Sequence, residues 1–421
     1  MISASGDFRN RKELFEHAIV LSDWFDRNGW AGMDPYDILG KFPFRQLQKN
    51  RYTRYLSHRI NELFPGMLRA LYGFHPAVNP KTVALLALAY QQLFAVTQED
   101  KWAQKSRACL DWLKSHPSRG YSGPCWGYPF GWQSRSFIPA GTPTAVVTAL
   151  CCQAFLRGAE LFDIPEYGQV ARQSASFFLH DLHIDRRPDG THCFSYTPRD
   201  RLHVHNANLW VAAALDGISA AGRGAEDIAE SALRAARYTF QAQGEDGSWD
   251  YFGPPDQAAR RYVDVYHSGF NLRCLHEIFL HRRDPELLRA IERGYHFLTD
   301  RLLVDGCRPK FRLDREYPAD IHACAEAIIC SAALSTTIPR ALETARKVAV
   351  WTIERMSDAR GNYYYRRYPR RCVTTTYIRW GQAWMLLALS SLLAATQRPR
   401  EEAAGRAGSK TRSKKDHQDN G

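Results

Sequence analysis

The sequence lacks three features that each mark a class of protein. It has no run of about 18 apolar residues, so we expect no transmembrane helix. Residues 1–11 contain no apolar core, so we expect no secretory signal there. The 10 cysteines form no C-x-x-C pair and show no regular spacing, which disfavours a disulfide framework. Free thiols in a reducing compartment explain them most simply, so we expect a cytoplasmic protein.

Acidic residues are too few to balance the basic ones. The 421 residues include 56 Lys and Arg against 44 Asp and Glu, which gives a net charge of +12. A basic protein attracts anionic partners, and we expect an acidic glycan or oligosaccharide rather than nucleic acid. Residues 398–421 are basic and almost free of apolar side chains, so we expect a disordered tail. The hydrophobic content of 45% predicts a large core in residues 1–397.

A weak internal repeat organises this body. Aromatic residues near the ends of predicted helices are each followed by a glycine-containing hairpin. After a first interval of 88 residues they recur every 54 to 65 residues, at Trp24, Trp112, Phe177, Phe240, Phe297 and Trp351. Units of similar length indicate copies of one supersecondary structure that stack on each other. The long first interval predicts an insertion at about residues 36–76.

Each later aromatic helix follows a second, more apolar helix. Those helices are apolar on almost all sides, as buried helices are, and we predict them at 80–96, 143–162, 205–221, 267–281 and 321–335. The first aromatic helix (11–25) has no such predecessor, and the last apolar helix (377–396) has no successor. The two ends of the chain therefore complete one unit. The pattern predicts an all-α (α/α)6 barrel of six inner and six outer helices, closed by its N- and C-terminal helices.

One hairpin carries a recognisable motif. The segment from Gln243 to Trp249 resembles the Q-x3-G-x-W repeat of squalene and other triterpene cyclases, whereas the other five hairpins have lost the Gln or the Trp. The whole layout resembles the wider α/α-toroid group, which includes terpenoid cyclases, protein prenyltransferases, six-hairpin glycosidases, sugar epimerases and toroidal polysaccharide lyases. Residues 125–133 with 141–144 are similar to toroid proteins of bacterial polysaccharide gene clusters. The resemblance implies the fold and a role in polysaccharide biosynthesis or modification.

Two motif comparisons narrow the choice of enzyme class within that group. No two aspartates are adjacent, so the chain has neither the D-x-D-D acid motif of class II terpenoid cyclases nor the D-D-x-x-D motif for diphosphate. Protein prenyltransferases hold zinc with Asp, Cys and His, and Asp320, Cys324 and His267 resemble that set only loosely. We therefore predict no metal and no cofactor.

The inner helices of such a barrel begin at one mouth, where polar residues are dense. A single Asp, Ser or Asn at a helix start is explained as a cap, but histidines at three of the starts are not. A pocket of His, Tyr, Asn, Arg and Asp is typical of proton transfer on a polar substrate. The predicted catalytic residues are His205, Asp264, Tyr266, His267, Asp320 and His322.

The predicted chemistry is removal of the C5 proton of a uronate. A base takes the proton, and a second group neutralises the carboxylate so that the carbon becomes acidic. His205, Tyr266 or His267 fits the acid–base role, and Asn206 or Asn208 with Arg379 fits the neutralising role. The outcome is elimination by a lyase or inversion by a C5-epimerase. Hydrolysis instead needs two carboxylates, for which Asp264 and Asp320 are the candidates.

Aromatic and basic residues outside the helix starts suit a glycan. Flat rings stack on sugar faces, and guanidinium groups pair with carboxylates. The predicted substrate-binding residues of this kind are Trp126, Trp132, Tyr364, Arg366 and Trp380. A non-catalytic glycan-binding component of a polysaccharide assembly machine would show the same aromatics and arginines, so this alternative stays open.

Overall fold

The structure, a computed structural model, describes residues 11–222, 226–257 and 261–397. The predicted disordered tail, 398–421, lies outside the described residues. The described helices, in chain order, are α1 (Arg11–Asn28), α2 (Phe44–Leu47), α3 (Arg51–Leu63), α4 (Pro65–Leu71), α5 (Pro80–Thr97), α6 (Asp100–Ser115), α7 (Ala145–Phe162), α8 (Pro165–Ser176), α9 (His205–Ala220), α10 (Glu226–Gln241), α11 (Val265–Arg282), α12 (Pro285–Phe297), α13 (Ile321–Leu334), α14 (Ala341–Met356) and α15 (Trp384–Gln397). Three π-helical segments continue or precede them, at Phe177–Asp181, Leu298–Leu302 and Ile378–Ala383.

Six helices form a closed inner ring. Helices α5, α7, α9, α11, α13 and α15 each pack on the next, and α15 packs on α5. The outer helices α6, α8, α10, α12 and α14 each pack on the inner helix that precedes them, and α1 packs on α15. The predicted (α/α)6 barrel is confirmed, including its closure by the first and last helices.

Four of the six inner helices are capped by a side chain at their first turn. Asn79, Thr144, Asp264 and Asp320 each accept a hydrogen bond from a backbone N–H of the helix that follows. These bonds satisfy donors that the start of a helix leaves without partners. The side chains of the first turn are therefore held in fixed positions at one end of the barrel.

Short antiparallel ladders connect the helices. The strands are β1 (Ala31–Gly32), β2 (Ala77–Val78), β3 (Trp132–Gln133), β4 (Phe137–Ile138), β5 (Ile184–Arg186), β6 (His192–Phe194), β7 (Leu303–Val304), β8 (Arg308–Pro309), β9 (Ala319–Asp320), β10 (Arg366–Arg367) and β11 (Cys372–Val373). Strand β10 pairs with both β9 and β11, and the other strands form pairs. The β9–β10 pairing places Arg366 opposite Asp320, next to the start of α13.

The predicted insertion lies between β1 and β2 and carries α2, α3 and α4. It has a small apolar core of its own, formed by Ile38, Leu39, Phe44 and Leu68. The buried Arg69 side chain ties this segment together: it binds both carboxylate oxygens of Asp37, the side chain of Asn61 and the backbone oxygens of Asp34 and Pro65. The insertion is a folded unit attached to the rim of the barrel.

One described helix, α7, has the length and hydropathy of a membrane span. It is an inner helix, and most of it is buried between α5 and α9. All ten cysteines are free thiols, eight of them buried. Burial raises the pKa of the Cys152 and Cys324 thiols to about 12, so these thiols stay protonated and unreactive in the folded protein.

Candidate active site

A cavity of about 300 Å³ lies at the end of the barrel where the inner helices begin. Five inner helices contribute residues from their first turn, namely Lys81, Val146, Asn206, His267 and His322. The hairpins and the insertion complete the wall, and the polar and aromatic residues among them are Tyr36, Gln48, Arg54, His58, Tyr128, Phe130, Trp132, Gln133, Tyr196 and Tyr251. The cavity therefore collects side chains that are far apart in the sequence.

His267 is held by the carboxylate that caps its own helix. Asp264 Oδ1 accepts the backbone N–H of His267 at 2.9 Å, and Asp264 Oδ2 lies 2.8 Å from His267 Nδ1. Asp264 is almost fully buried, whereas His267 is partly exposed to the cavity. A carboxylate at Nδ1 fixes the ring orientation and places the proton on Nδ1, which leaves Nε2 as a base.

The imidazole ring of His322 sits in an aromatic cage. Its ring centroid lies 4.4 Å from that of Trp380, 4.8 Å from that of Trp384 and 4.9 Å from that of Tyr266. Neither ring nitrogen has a partner among the described residues, although both are buried. Burial and the positive charges of Lys81 and Arg379 lower the pKa of His322 well below its usual value. The ring is therefore neutral and has two nitrogens available to a ligand.

Lys81 is a buried amine in the same wall. Its side chain is 4% exposed and lies over the rings of Trp384 and Phe270, 5.3 and 5.9 Å from their centroids. No carboxylate of the described residues pairs with it. Burial, reinforced by the charge of Arg379, lowers the pKa of Lys81 well below its usual value. A lysine whose pKa is lowered in this way gives up its proton more readily and can act as a base.

The tyrosine side chains of the cavity keep their hydroxyl protons. Tyr266 lies between the two histidines, with its ring centroid 4.2 Å from that of His267. Burial raises the pKa of Tyr266 well above its usual value, and it raises that of Tyr36 to about 12. Both hydroxyls therefore keep their protons at neutral pH and can donate hydrogen bonds or a proton to a substrate oxygen.

Arg379 reaches the cavity from the π-helical segment before α15. It forms a two-pronged ion pair with Asp34 of the insertion, Nε to Oδ2 at 2.5 Å and Nη2 to Oδ1 at 2.8 Å. Burial alone would lower the pKa of Arg379, but the Asp34 carboxylate outweighs it and raises the pKa, so the group stays charged. Because Asp34 occupies one edge of the guanidinium, Arg379 can offer a ligand only its remaining donors.

The described lining of the cavity contains no Asp or Glu. The nearby carboxylates face other protein groups instead. Asp264 binds His267 and Asp34 binds Arg379, while Asp320 binds Arg366 Nε, Trp380 Nε1 and the backbone N–H of His322. The wall that a ligand meets is basic and aromatic.

Seven of the predicted site residues line this cavity, namely Trp132, Asn206, Tyr266, His267, His322, Arg379 and Trp380. Asp264 and Asp320 lie behind that wall, each bound to a wall residue. The barrel mouth thus brings together residues from positions 132 to 380.

The remaining predicted residues lie away from the lining. His205 packs on Tyr238 of the outer helix α10 and is 3.3 Å from Thr239 Oγ1. Asn208 accepts a hydrogen bond from the backbone N–H of Phe194 and donates one to the backbone oxygen of Ala235. Trp126 is a core residue whose indole N–H donates to the backbone oxygen of Leu113. Arg366 binds Asp320 and Glu62, and Tyr364 lies on the hairpin before it, outside the lining. Two of these five residues, His205 and Asn208, lie at the start of an inner helix but face the outer helix α10.

Sequence reasoning missed several wall residues: Tyr36, Arg54, His58 and Lys81. Lys81 could have been predicted, because it lies at the start of an inner helix between a capping residue and an apolar run. The other three belong to the insertion, and no periodic pattern indicates that this segment folds back over the mouth. Among the described residues, no group of three or more His, Cys, Asp or Glu side chains is arranged to hold a metal ion.

Comparison with solved structures places this geometry in a known fold. The chain superposes on cellobiose 2-epimerase from Bacillus thermoamylovorans with a TM-score of 0.60 at 11% identity, over 77% of this chain and 90% of that one. The fold is that of the α/α toroids.

Two further toroids match over more of the chain. A polysaccharide lyase has a TM-score of 0.61 at 10% identity, covering 92% of this chain and 99% of the lyase. An unsaturated glucuronyl hydrolase specific for heparin has a TM-score of 0.59 at 10% identity, covering 91% and 96%. No protein-family model and no curated protein sequence matches the chain. At these identities the likeness concerns the fold.

Proposed function

We propose that this toroid is a carbohydrate-active enzyme that removes a proton from a uronate unit of an acidic oligo- or polysaccharide, as a lyase or a C5-epimerase. One observation carries the proposal: the cavity presents three histidines, a lysine and tyrosines, and its described lining has no carboxylate. Such a wall attracts an anionic ligand and supplies bases and acids for proton transfer. The toroid fold of an epimerase and of a polysaccharide lyase supports the same class.

The roles follow from the contacts. His267, oriented by Asp264, removes the proton, and Lys81 is the second group able to do so. Tyr266 lies between His267 and His322, so it can protonate a leaving oxygen or return a proton from the other side. Arg379 and Asn206 lie in the same wall and stabilise the negative charge that develops on the carboxylate.

Hydrolysis by a carboxylate pair fits the cavity less well. A glycosidase needs one carboxylic acid and one carboxylate facing the scissile bond. Asp264 and Asp320 cap α11 and α13 and are bound to His267 and to Arg366 and Trp380. Neither of them faces the cavity in the described structure, which favours proton abstraction over hydrolysis.

Proton NMR in heavy water tests the proposal. The purified protein is incubated with a panel of uronate polymers and oligomers. Vinyl signals show elimination, and deuterium at C5 without cleavage shows epimerisation. New reducing ends alone would show hydrolysis and would contradict the proposal. Line broadening without any chemical change would instead support a glycan-binding protein.

A matched pair of variants assigns the reaction to the cavity. Lys81→Met and Tyr266→Phe keep the shape of the wall and remove its proton-transfer groups. His205→Gln is the control, because His205 lies outside the lining. We expect the first two to lose turnover and the control to keep it. Equal activity in all three would place the reaction elsewhere.

A further inference from the structure

The insertion exposes most of the large apolar side chains on the described surface. Ten such residues are strongly exposed, and eight of them lie in the insertion: Phe42, Tyr52, Tyr55, Leu56, Leu63, Phe64, Met67 and Leu71. We call this set the apolar patch. Isolated exposed apolar residues are ordinary, but a concentration in one 30-residue segment marks an interaction surface.

Helix α3 shows the reversed amphipathic pattern most clearly. It buries Ser57, Asn61 and Glu62, while Leu56 and Leu63 are 56% and 50% exposed. Tyr52, Leu56 and Leu63 are four and seven residues apart, so they share one face of the helix. A helix of a soluble body normally buries its apolar face. Glu62 accepts a hydrogen bond from Tyr368 and so holds α3 to the barrel, whereas Asn61 donates to the backbone of Pro35 within the insertion. The apolar face of α3 points outward.

The same segment is basic. Residues 38–61 contain six Lys and Arg and no Asp or Glu: Lys41, Arg45, Lys49, Arg51, Arg54 and Arg59. The apolar and aromatic side chains lie among these cations, and all of the cations except Arg59 are exposed. Aromatic and aliphatic residues combined with a basic face are typical of segments that lie in the interface of an anionic membrane.

Charge disfavours two other partners for the apolar patch, a second copy of the chain and the chain's own residues 398–421. A two-fold contact with a second copy would bring the same six cations against each other. Residues 398–421 carry seven basic and four acidic residues and no large apolar side chain, so they complement neither the charge nor the apolar patch. An anionic lipid surface complements both.

We infer that the insertion docks this protein onto an anionic membrane surface, with the apolar patch entering the interface and the cations contacting lipid headgroups. This inference does not depend on the proposed reaction. Because Leu39, Arg54 and His58 of the insertion also line the cavity, docking places the active-site cavity next to the bilayer.

Vesicle sedimentation with the full chain tests the inference. The probes are phosphatidylcholine vesicles and vesicles of phosphatidylcholine with 30 mole per cent phosphatidylglycerol (about 150 mM salt, near physiological ionic strength). We expect binding only to the anionic vesicles, and a sharp loss of binding at high salt. No binding to the anionic vesicles would overturn the inference, and so would equal binding to both kinds.

Two variants separate the apolar and electrostatic contributions. The first combines Tyr52→Ser, Leu56→Ser and Leu63→Ser, and the second combines Lys49→Gln with Arg51→Gln. We expect the first to abolish sedimentation and the second to weaken partitioning about fivefold for each cation removed. The control combines Leu280→Ser with Arg289→Gln, both exposed on other helices, and should bind like the wild type.

Two further outcomes would count against the membrane. A dimer in light scattering that the triple-serine variant dissociates would show that the apolar patch contacts a second copy. Unchanged vesicle binding in both insertion variants would place the lipid contact elsewhere. All the substituted side chains are exposed, so a thermal melt should show that each variant is folded.

Discussion

At the scale of single residues, the Asp264–His267 pair combines a structural and a chemical task. The carboxylate caps α11 with one oxygen and holds the imidazole with the other. Asn caps helices about as well as Asp, but it cannot stabilise the same tautomer and charge. We expect Asp264→Asn to keep its melting temperature and to lose about 10²-fold or more in kcat, the usual size of an acid–base contribution.

The Asp264→Ala variant is the control for that prediction. It removes the cap as well, so its free energy of unfolding should fall by a further amount of about 1 kcal/mol. Thermal unfolding and turnover on the uronate identified by NMR measure the two effects separately. If the Asn variant lost stability but kept its turnover, Asp264 would be only a cap.

The buried Lys81 should make the free energy of unfolding depend on pH. Burial lowers its pKa in the folded state, whereas in the unfolded chain it keeps its proton up to about pH 10.4. Between the lowered folded pKa and that pH the unfolded state binds more protons, so the free energy of unfolding rises as pH rises toward 10.4. Lys81→Met has no such group. We therefore expect the variant to be more stable than the wild type at pH 7 and its advantage to shrink by pH 10.

Urea unfolding of both proteins at the two pH values checks this prediction. Every other titrating group is common to the two chains, so the difference isolates Lys81. A difference that stays constant with pH would mean that the folded lysine keeps an ordinary pKa, and Lys81 would then not serve as a base.

At the scale of elements, the insertion depends on one buried arginine. Arg69 is bound to Asp37, Asn61 and two backbone oxygens, and removing one partner of a buried ion pair costs about 3–5 kcal/mol. We expect Arg69→Met to loosen residues 41–71 and to leave the barrel folded. Hydrogen exchange should show faster exchange of backbone amides in α3 and α4, with α7 and α13 unchanged.

Arg59→Met is the matched control for the insertion, since Arg59 lies in α3 but its side chain is 31% exposed. Its exchange pattern should stay close to that of the wild type. Asp34 joins the insertion to Arg379, so the Arg69 variant should also lose activity. An active Arg69 variant with a mobile insertion would show that the insertion does not shape the cavity.

At the scale of the whole molecule, the barrel is closed by contact between its first and last helices. Helix α1 covers α15, and Trp24 Nε1 donates to Asn362 Oδ1 at 2.9 Å. Deletion of residues 1–28 would expose one side of the apolar α15, which would then be held mainly by its neighbours in the inner ring, α5 and α13, and by α14. We expect the truncated chain to lose its cooperative thermal transition, and a peptide of residues 11–28 to restore part of it. A truncated chain that melts like the full one would contradict this account.

The sequence predicts the barrel well and the lining of the candidate site less well. Five apolar helices with partners, and one unpaired helix at each end, leave one arrangement that buries every apolar face, so periodicity was sufficient for the fold. Site residues depend on the direction of each side chain. His205 and His322 both begin inner helices, yet His205 faces the outer helix α10 and His322 faces the cavity. Tyr36 and His58 reach the cavity only because the insertion folds over it, and a contact of that range leaves no local pattern.

The free thiols make the unfolded protein sensitive to oxidation. In the folded chain, eight of ten cysteines are enclosed, and those whose pKa is raised are poor nucleophiles. Once the chain unfolds, all ten become ordinary thiols that oxygen can join in many wrong combinations. The barrel therefore preserves its own reduced state for as long as it stays closed. Heating it in air should produce crosslinked aggregates, whereas heating it with a reductant should allow it to refold.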